Sequence, residues 1–232
     1  MLMDGKELAR DIKAKIKAEI DDIKRIYNVN PTVASILVGE DPASQVYLNS
    51  QIKSYQDLGI GVQKYFFSKE ISEAYLLNLI DKLNKDTEVD GIMINLPLPP
   101  QISATKVLNR IKLIKDVDGF KAENLGLLFQ NNEDFISPST PAGIMALIEG
   151  YKIDLQGKDV VVVGRSNIVG KPVAALVLNS HGTVTICNSH TKNLAAKTKD
   201  ADILISAVGK PKFITEDMVK EGAVVIDVGI NR

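Results

Sequence analysis

The chain has 232 residues, 45% of them apolar and 25% charged, enough for one large domain or two small ones and for a buried core, which excludes disorder as the main state. With 28 Lys plus Arg against 29 Asp plus Glu, a net charge of −1, no electrostatic footprint for nucleic acid or for an anionic membrane is present. One cysteine (Cys187), two histidines, no run of 18 apolar residues and no signal-peptide core at Met1-Leu2-Met3-Asp4-Gly5-Lys6 argue against disulfides, a metal site or a membrane span, and lead us to expect a soluble, cytoplasmic protein.

Residues 4–27 carry Leu8, Ile12, Ile16, Ile20, Ile23 and Ile26 at steps of four and three, which predicts an amphipathic helix closed by Asn28-Val29-Asn30-Pro31. Strands and helices then alternate. Strands are predicted at 33–38, 62–67 and 91–94, and helices at about 43–58, 72–84 and 104–111. Gly39-Glu40-Asp41-Pro42 reads as a turn, and Asn95-Leu96-Pro97-Leu98-Pro99-Pro100 as a loop. Residues 112–140 break the rhythm and read as a connection, after which Thr140 is the expected N-cap of a helix over 141–149. A second alternating unit follows, with strands at 159–163, 183–187, 203–207 and 223–228. Its helices are expected at about 170–179, 193–199 and 215–220.

Such alternation implies parallel strands, and open parallel sheets bind ligands beyond the carboxyl ends of their strands. The places to watch in the first unit are therefore 39–55, 68–72 and 95–101.

In the second unit, Asp159-Val160-Val161-Val162-Val163 runs into Gly164-Arg165-Ser166-Asn167-Ile168-Val169-Gly170-Lys171-Pro172. A buried strand, a glycine turn and a helix start are the means of presenting backbone N–H groups to a pyrophosphate. The spacing is not G-x-G-x-x-G: Ser166 holds the second glycine position, and the last glycine comes six residues after the first. After the next strand the chain reads Cys187-Asn188-Ser189-His190-Thr191-Lys192, without the acid that chelates the ribose hydroxyls of NAD. Hydroxyls, an imidazole and an ammonium there, with Arg165 in the turn, suit NADP better than NAD. A plain polar turn capped by Ser189 or Thr191 accounts for the same residues equally well.

The glycine string above, Lys115-Asp116-Val117-Asp118-Gly119-Phe120, Leu96-Pro97-Leu98-Pro99 and Val224-Val225-Ile226-Asp227-Val228-Gly229-Ile230-Asn231-Arg232 together resemble one family. It is that of the bifunctional methylenetetrahydrofolate dehydrogenase/methenyltetrahydrofolate cyclohydrolases, and the resemblance runs through the whole chain in order. It implies a two-lobed α/β fold: an N-terminal parallel αβα lobe that binds folate, residues 1–137, and a C-terminal Rossmann-type NADP-binding lobe, residues 138–232. It implies a homodimer with the active site between the lobes. It also implies oxidation of 5,10-methylenetetrahydrofolate by NADP, then hydrolysis of the methenyl cation to 10-formyltetrahydrofolate. The family's tyrosine falls on Tyr47, its acid/base lysine on Gln51, a second lysine on Lys53, the glutamine that partners the acid/base on Asn95, and the pterin-binding aspartate on Asp118. The lysine of its Thr-Pro-Lys-Gly falls on Ala142, and NADP contacts fall on Gly164, Arg165, Ser166, Ser189 and Ile230. The family continues past the position of Arg232 through a glycine-rich loop and a helix that packs on the first lobe.

The departures from the family pattern gather at the reacting centre. An amide has no proton to shuttle near neutrality, so Gln51 does not replace a lysine in acid/base work. On a helix at ~100° per residue, Tyr47 and Gln51 share a face, whereas Lys53 lies roughly 200° from Gln51. Two readings follow: an NADP-dependent dehydrogenase with weakened hydrolysis, or a silent homologue that binds folate or nucleotide or serves as a dimer partner.

Overall fold

The computed structural model describes residues 2–39 and 42–229. Glu40 and Asp41 of the predicted turn, and Ile230 among the expected NADP contacts, lie outside the described residues.

The chain divides into two compact units, one spanning Asp4–Glu123 and the other beginning at Asn124 and taking in Met3 near the start of the chain. In the first unit the Asp4 carboxylate accepts from the backbone N–H groups of Lys6 and Glu7 (2.9 and 3.2 Å) and opens α1, Gly5–Tyr27. Asn28 ends it in the left-handed region (φ 51°), its N–H donating to the Lys24 carbonyl. The stripe of isoleucines is less covered than its periodicity suggests. Ile20 is buried, while Ile12, Ile16 and Ile23 stay more than a third exposed.

Three parallel strands follow, β1 (Thr32–Val38), β2 (Gly61–Phe67) and β3 (Gly91–Ile94), in the order β2-β1-β3. Alternation along β1 splits the core between two faces. Ala34, Ile36 and Val38 join Ile92 and Ile94 beneath α3 (Glu73–Lys85) and α4 (Ala104–Arg110). Val33, Leu37 and Met93 face α2 (Pro42–Leu58), which buries Leu48 and Ile52 against them. Every one of these elements lies within two residues of the predicted span.

The stretch expected as a plain connection holds more structure than that. Leu113–Lys115 forms a 3₁₀ turn, and Ala122–Phe129 forms a helix, α5. Its eight residues, broken by Gly126, are too few to show a period. Asn124 and Leu128 are buried; Asn124 Oδ1 accepts from the Ile136 N–H, and the Leu128 carbonyl accepts from the Asn179 side chain. Most of residues 124–137 thus pack with the second unit.

α6 spans Ser139–Gly150 and begins earlier than predicted. Thr140 lies inside the first turn and is not the N-cap. Pro138 holds that place without a side-chain hydrogen bond, and Pro141 needs no acceptor so near the start of the helix.

The second unit has four parallel strands in the order β5-β4-β6-β7: β4 (Asp159–Val163), β5 (Thr183–Cys187), β6 (Ile203–Ser206) and β7 (Val224–Asp227). α7 (Gly170–Asn179) and α6 cover one face through Ile144, Ile148, Val173 and Val177. α8 (Leu194–Lys199) lies over the other with Leu194. The helix expected at 215–220 is a single 3₁₀ turn, Glu216–Met218. Thr215 Oγ1 bonds the Asp217 carboxylate (2.7 Å), and Gly222 at φ 80° turns the chain into β7 before a second turn can form. Among the described residues no helix is long and apolar enough to cross a membrane, and no group of three or more His, Cys, Asp or Glu is placed to hold a metal.

Candidate active site

With Leu48 and Ile52 turned to the sheet, Tyr47, Gln51 and Tyr55 recur at four-residue steps along the neighbouring stripe of α2. Tyr47 is 58% exposed. Gln51 is half-buried, and its Oε1 is closed to solvent with no hydrogen-bond partner. The half-buried Tyr55 donates its hydroxyl to Met93 Sδ on β3 (3.7 Å). Lys53 is exposed, off this stripe, beside Ser54, whose Oγ accepts from Lys13 of α1 (3.0 Å). It is not brought to the others.

β3 ends at Ile94, and the next residue, Asn95, is buried. Its Nδ2 donates to the Ile36 carbonyl (3.0 Å) and lies 3.4 Å from Ser35 Oγ, so the amide is engaged with β1.

Asp118 comes from the turn after the 3₁₀ segment. Asp116, buried beside it, accepts the N–H groups of Phe120 (3.3 Å) and Lys121 (2.8 Å), and Gly119 at φ 67° completes the bend. Burial of the Asp118 carboxyl, then repulsion from Asp116, pushes its pKa up to about 7 against a hydrogen bond from the Ile94 backbone. The Tyr55 phenol is raised by burial and by the charges of Asp118 and Tyr47. Tyr55 therefore lies within electrostatic reach of both Tyr47 and Asp118, with Gln51 a turn from each tyrosine. The sequence reading missed Tyr55, although its step of eight from Tyr47 was a usable signal.

In the second unit Gly164 has φ 129°, and a Cβ there would lie 2.6 Å from the Ala207 carbonyl oxygen. A Cβ on Gly170 would lie 2.2 Å from the Gly164 carbonyl oxygen, and one on Gly229 would lie 2.1 Å from that of Val208. Three strand ends thus converge on a cradle of bare backbone. Ser166, in the second glycine position, closes the turn that leads into α7: its Oγ accepts from the N–H groups of Val169 (3.1 Å) and Gly170 (3.3 Å). After β5, Thr191 Oγ1 accepts from the Asn188 N–H (2.8 Å) and Asn188 Oδ1 from the His190 N–H (3.0 Å). That turn is closed by Thr191, and Ser189 remains exposed with His190, Lys192 and Arg165. A backbone cradle with exposed cations and no acid at 187–192 fits a nucleotide that carries an extra phosphate. Ala142 is exposed on α6.

The model of the tetrahydrofolate dehydrogenase/cyclohydrolase catalytic domain matches residues 3–118, and that of the same family's NAD(P)-binding domain matches residues 138–232. This chain belongs to the tetrahydrofolate dehydrogenase/cyclohydrolase family. A bifunctional FolD protein of Fusobacterium nucleatum subsp. nucleatum is 88% identical over 232 residues, which span all of this chain and 82% of that one. The crystal structure of the bifunctional FolD methylenetetrahydrofolate dehydrogenase/cyclohydrolase from Campylobacter jejuni superposes with a TM-score of 0.98 at 44% identity, covering 100% of this chain and 82% of that chain. The Trypanosoma brucei FolD, solved with NADP cofactor and an inhibitor, gives a TM-score of 0.95 at 31% identity over 99% of this chain and 78% of its own.

In this tetrahydrofolate dehydrogenase/cyclohydrolase the α2 stripe offers a ring, an amide and a phenol, and no ammonium. Such a set can stack and accept hydrogen bonds. The Asp118 carboxyl, its pKa held near neutrality by its burial, acts on the Tyr55 end of this stripe.

Proposed function

We propose that this chain oxidises 5,10-methylenetetrahydrofolate to the 5,10-methenyl form with NADP, and that hydrolysis to 10-formyltetrahydrofolate is its weakened step. NADP, when bound, accepts the hydride from the methylene bridge. The chain's own residues align the two reactants. Tyr47 stacks along the folate, the Asp118 carboxylate accepts from the pterin, and Gly164, Arg165, Ser166, Ser189 and Ile230 hold the nucleotide. Hydride transfer draws mainly on proximity and orientation, which these residues supply. Hydrolysis must also activate a water and move its proton, and an amide at position 51 does neither. The observation that carries this reading is the buried, unpartnered carboxamide oxygen of Gln51 where the family has a lysine.

We divide the chain by function into a folate-binding domain, residues 1–137, and an NADP-binding domain, 138–232; the family models match 3–118 and 138–232, and the stretch 124–137 between them packs with the second unit. A homodimer is proposed as the active form. The cytoplasm is its proposed place, in keeping with a free, buried Cys187.

Mixing the protein with 5,10-methylenetetrahydrofolate and NADP, and following reduced cofactor and methenyl product by absorbance, tests the assignment. NADPH together with accumulating methenyl product is the expected result. NADP binding without turnover would replace this reading with that of a silent homologue.

A further inference from the structure

Lys115 is 8% exposed, and its ammonium donates to the carbonyl oxygens of Leu83 (2.8 Å) and Asp86 (2.6 Å). Those carbonyls belong to the C-terminal end of α3, where helical geometry leaves acceptors without partners and the helix dipole favours a cation. A buried ammonium is costly unless its donors are satisfied, and burial here pulls the Lys115 pKa down from its ordinary value. An apolar side chain and a helix cap of the usual kind would hold the end of α3 without that cost. Lys115 therefore has a second role to account for.

Its neighbours show what that role is. Asp116 bridges to Ile92 along the edge of β3 and takes the Phe120 and Lys121 N–H groups. Val117 packs beside Met93 and Tyr55, so close to β3 that a Cβ on Gly91 would lie 2.4 Å from Val117 Cγ1. Three consecutive residues thus anchor the segment in three directions: toward α3, into the following bend and against the α2 side of the sheet. The fourth, Asp118, is left to present its carboxyl beside the α2 stripe.

We propose that Lys115 is a positioning residue for Asp118, its ammonium fastening the 113–118 segment to the end of α3 so that the carboxylate meets the pterin in one fixed place. This rests on the folate reading above. Without the ammonium, the Leu83 carbonyl keeps only the Asp86 N–H (3.3 Å), the Asp86 carbonyl loses the Lys115 donor, and the segment is free to shift along β3, moving a carboxylate whose hydrogen bonds tolerate only tenths of an ångström.

The test uses the full chain with Lys115→Met, Lys115→Gln and, as a control, Arg110→Ala, which removes the Asp81–Arg110 pair between α3 and α4. Each is melted thermally, titrated with 5-formyltetrahydrofolate and with NADP, and assayed for KM and kcat. Lys115→Met is expected to weaken 5-formyltetrahydrofolate binding and raise the folate KM tenfold or more, with kcat and NADP affinity within about threefold of the parent. Lys115→Gln, whose neutral amide still offers two N–H donors, should fall between, and Arg110→Ala should keep the parent affinity. Unchanged folate affinity in folded Lys115→Met overturns the proposal, as does an equal loss in Arg110→Ala. Failure of both Lys115 variants to fold also overturns it, by assigning the ammonium to folding alone. If the unaltered chain binds NADP but no 5-formyltetrahydrofolate, the folate reading itself falls and takes this one with it.

Discussion

The side-chain amide of Asn95 donates to the Ile36 carbonyl oxygen at 3.0 Å, and the same oxygen accepts the Asn95 backbone N–H at 2.9 Å. The residue at the end of β3 therefore bonds twice to its neighbouring strand, and its amide is occupied there. A glutamine is one methylene longer and has the reach to leave the sheet for α2. Lengthening alone accomplishes little, because position 51 offers no ammonium to meet. We expect Asn95→Gln by itself to leave hydrolysis of 5,10-methenyltetrahydrofolate within about threefold of the parent. Gln51→Lys alone should raise it, by part of the ~10²–10⁴ that one positioned acid/base contributes. The double variant should exceed the product of the two single effects, since the residues would act as a unit. Methenyl hydrolysis rates of the four proteins measure this, and simple multiplicativity would refute the coupling.

Gln51 also bears on stability. A buried acceptor without a partner costs about 1–3 kcal/mol relative to one that is satisfied, and Gln51 Oε1 is such an atom. Gln51→Leu removes the acceptor and keeps an apolar side chain of similar bulk beside Leu48 and Ile52. Without ligand, that variant should melt at a higher temperature than the parent, by an amount worth about 1 kcal/mol, and should not bind folate more tightly. A lower melting temperature would mean that the amide is satisfied in solution.

Asp118 ties folate binding and stability to pH with opposite signs. Its carboxyl sits at about 7 in the folded chain against an ordinary 3.8. A raised acid contributes stability that is fully present below about pH 4 and is lost as pH rises through 7. The displacement of about three pH units, at about 1.4 kcal/mol each, sets a ceiling near 4 kcal/mol. Asp118→Asn should thus be more stable than the parent at pH 8, with the difference fading toward pH 4. Folate held by the ionised carboxylate behaves the other way: affinity should drop below pH 7 by up to about tenfold per pH unit. Asn at 118 should flatten that slope. Melting and folate titration between pH 4 and 8 read both, and a parallel response of the two would contradict the assignment.

What was legible in the sequence follows from how local its cause is. The run Val160–Val163, the glycines at 164 and 170 and the apolar residues after Pro172 fixed β4 and α7 to the residue, because strand burial, a left-handed turn and helix periodicity are written in adjacent positions. α5 was not legible, since eight residues with a central glycine carry no period, and Asn124 and Leu128 declare themselves only through partners elsewhere in the chain. The 3₁₀ turn at 216–218 has helix-forming residues that a Thr–Asp side-chain bond and Gly222 override. Tyr47, Gln51 and Asp118 were picked out by motif. Tyr55 was within reach of the same helix spacing, eight residues from Tyr47, but its contact with β3 is not written in residue type, and neither is the contact of Lys115 with the end of α3.

The cradle in the second unit makes a claim that separates backbone from side chain. A methyl group on Gly170 would lie 2.2 Å from the Gly164 carbonyl oxygen, a backbone atom that cannot swing aside, so Gly170→Ala must open the turn between β4 and α7. That variant should lose affinity for NADP and NAD alike and should melt lower, as strain of this kind costs of order 1–3 kcal/mol. Arg165 is exposed. Its guanidinium is the fork suited to a 2′-phosphate, so Arg165→Ala should keep the melting temperature and NAD affinity while weakening NADP by roughly tenfold or more. Titrating both nucleotides into both variants distinguishes the two effects. Equal weakening of NAD and NADP by Arg165→Ala would show that the side chain holds the part the two cofactors share, and preference for NADP would then have to come from Ser189, His190 or Lys192.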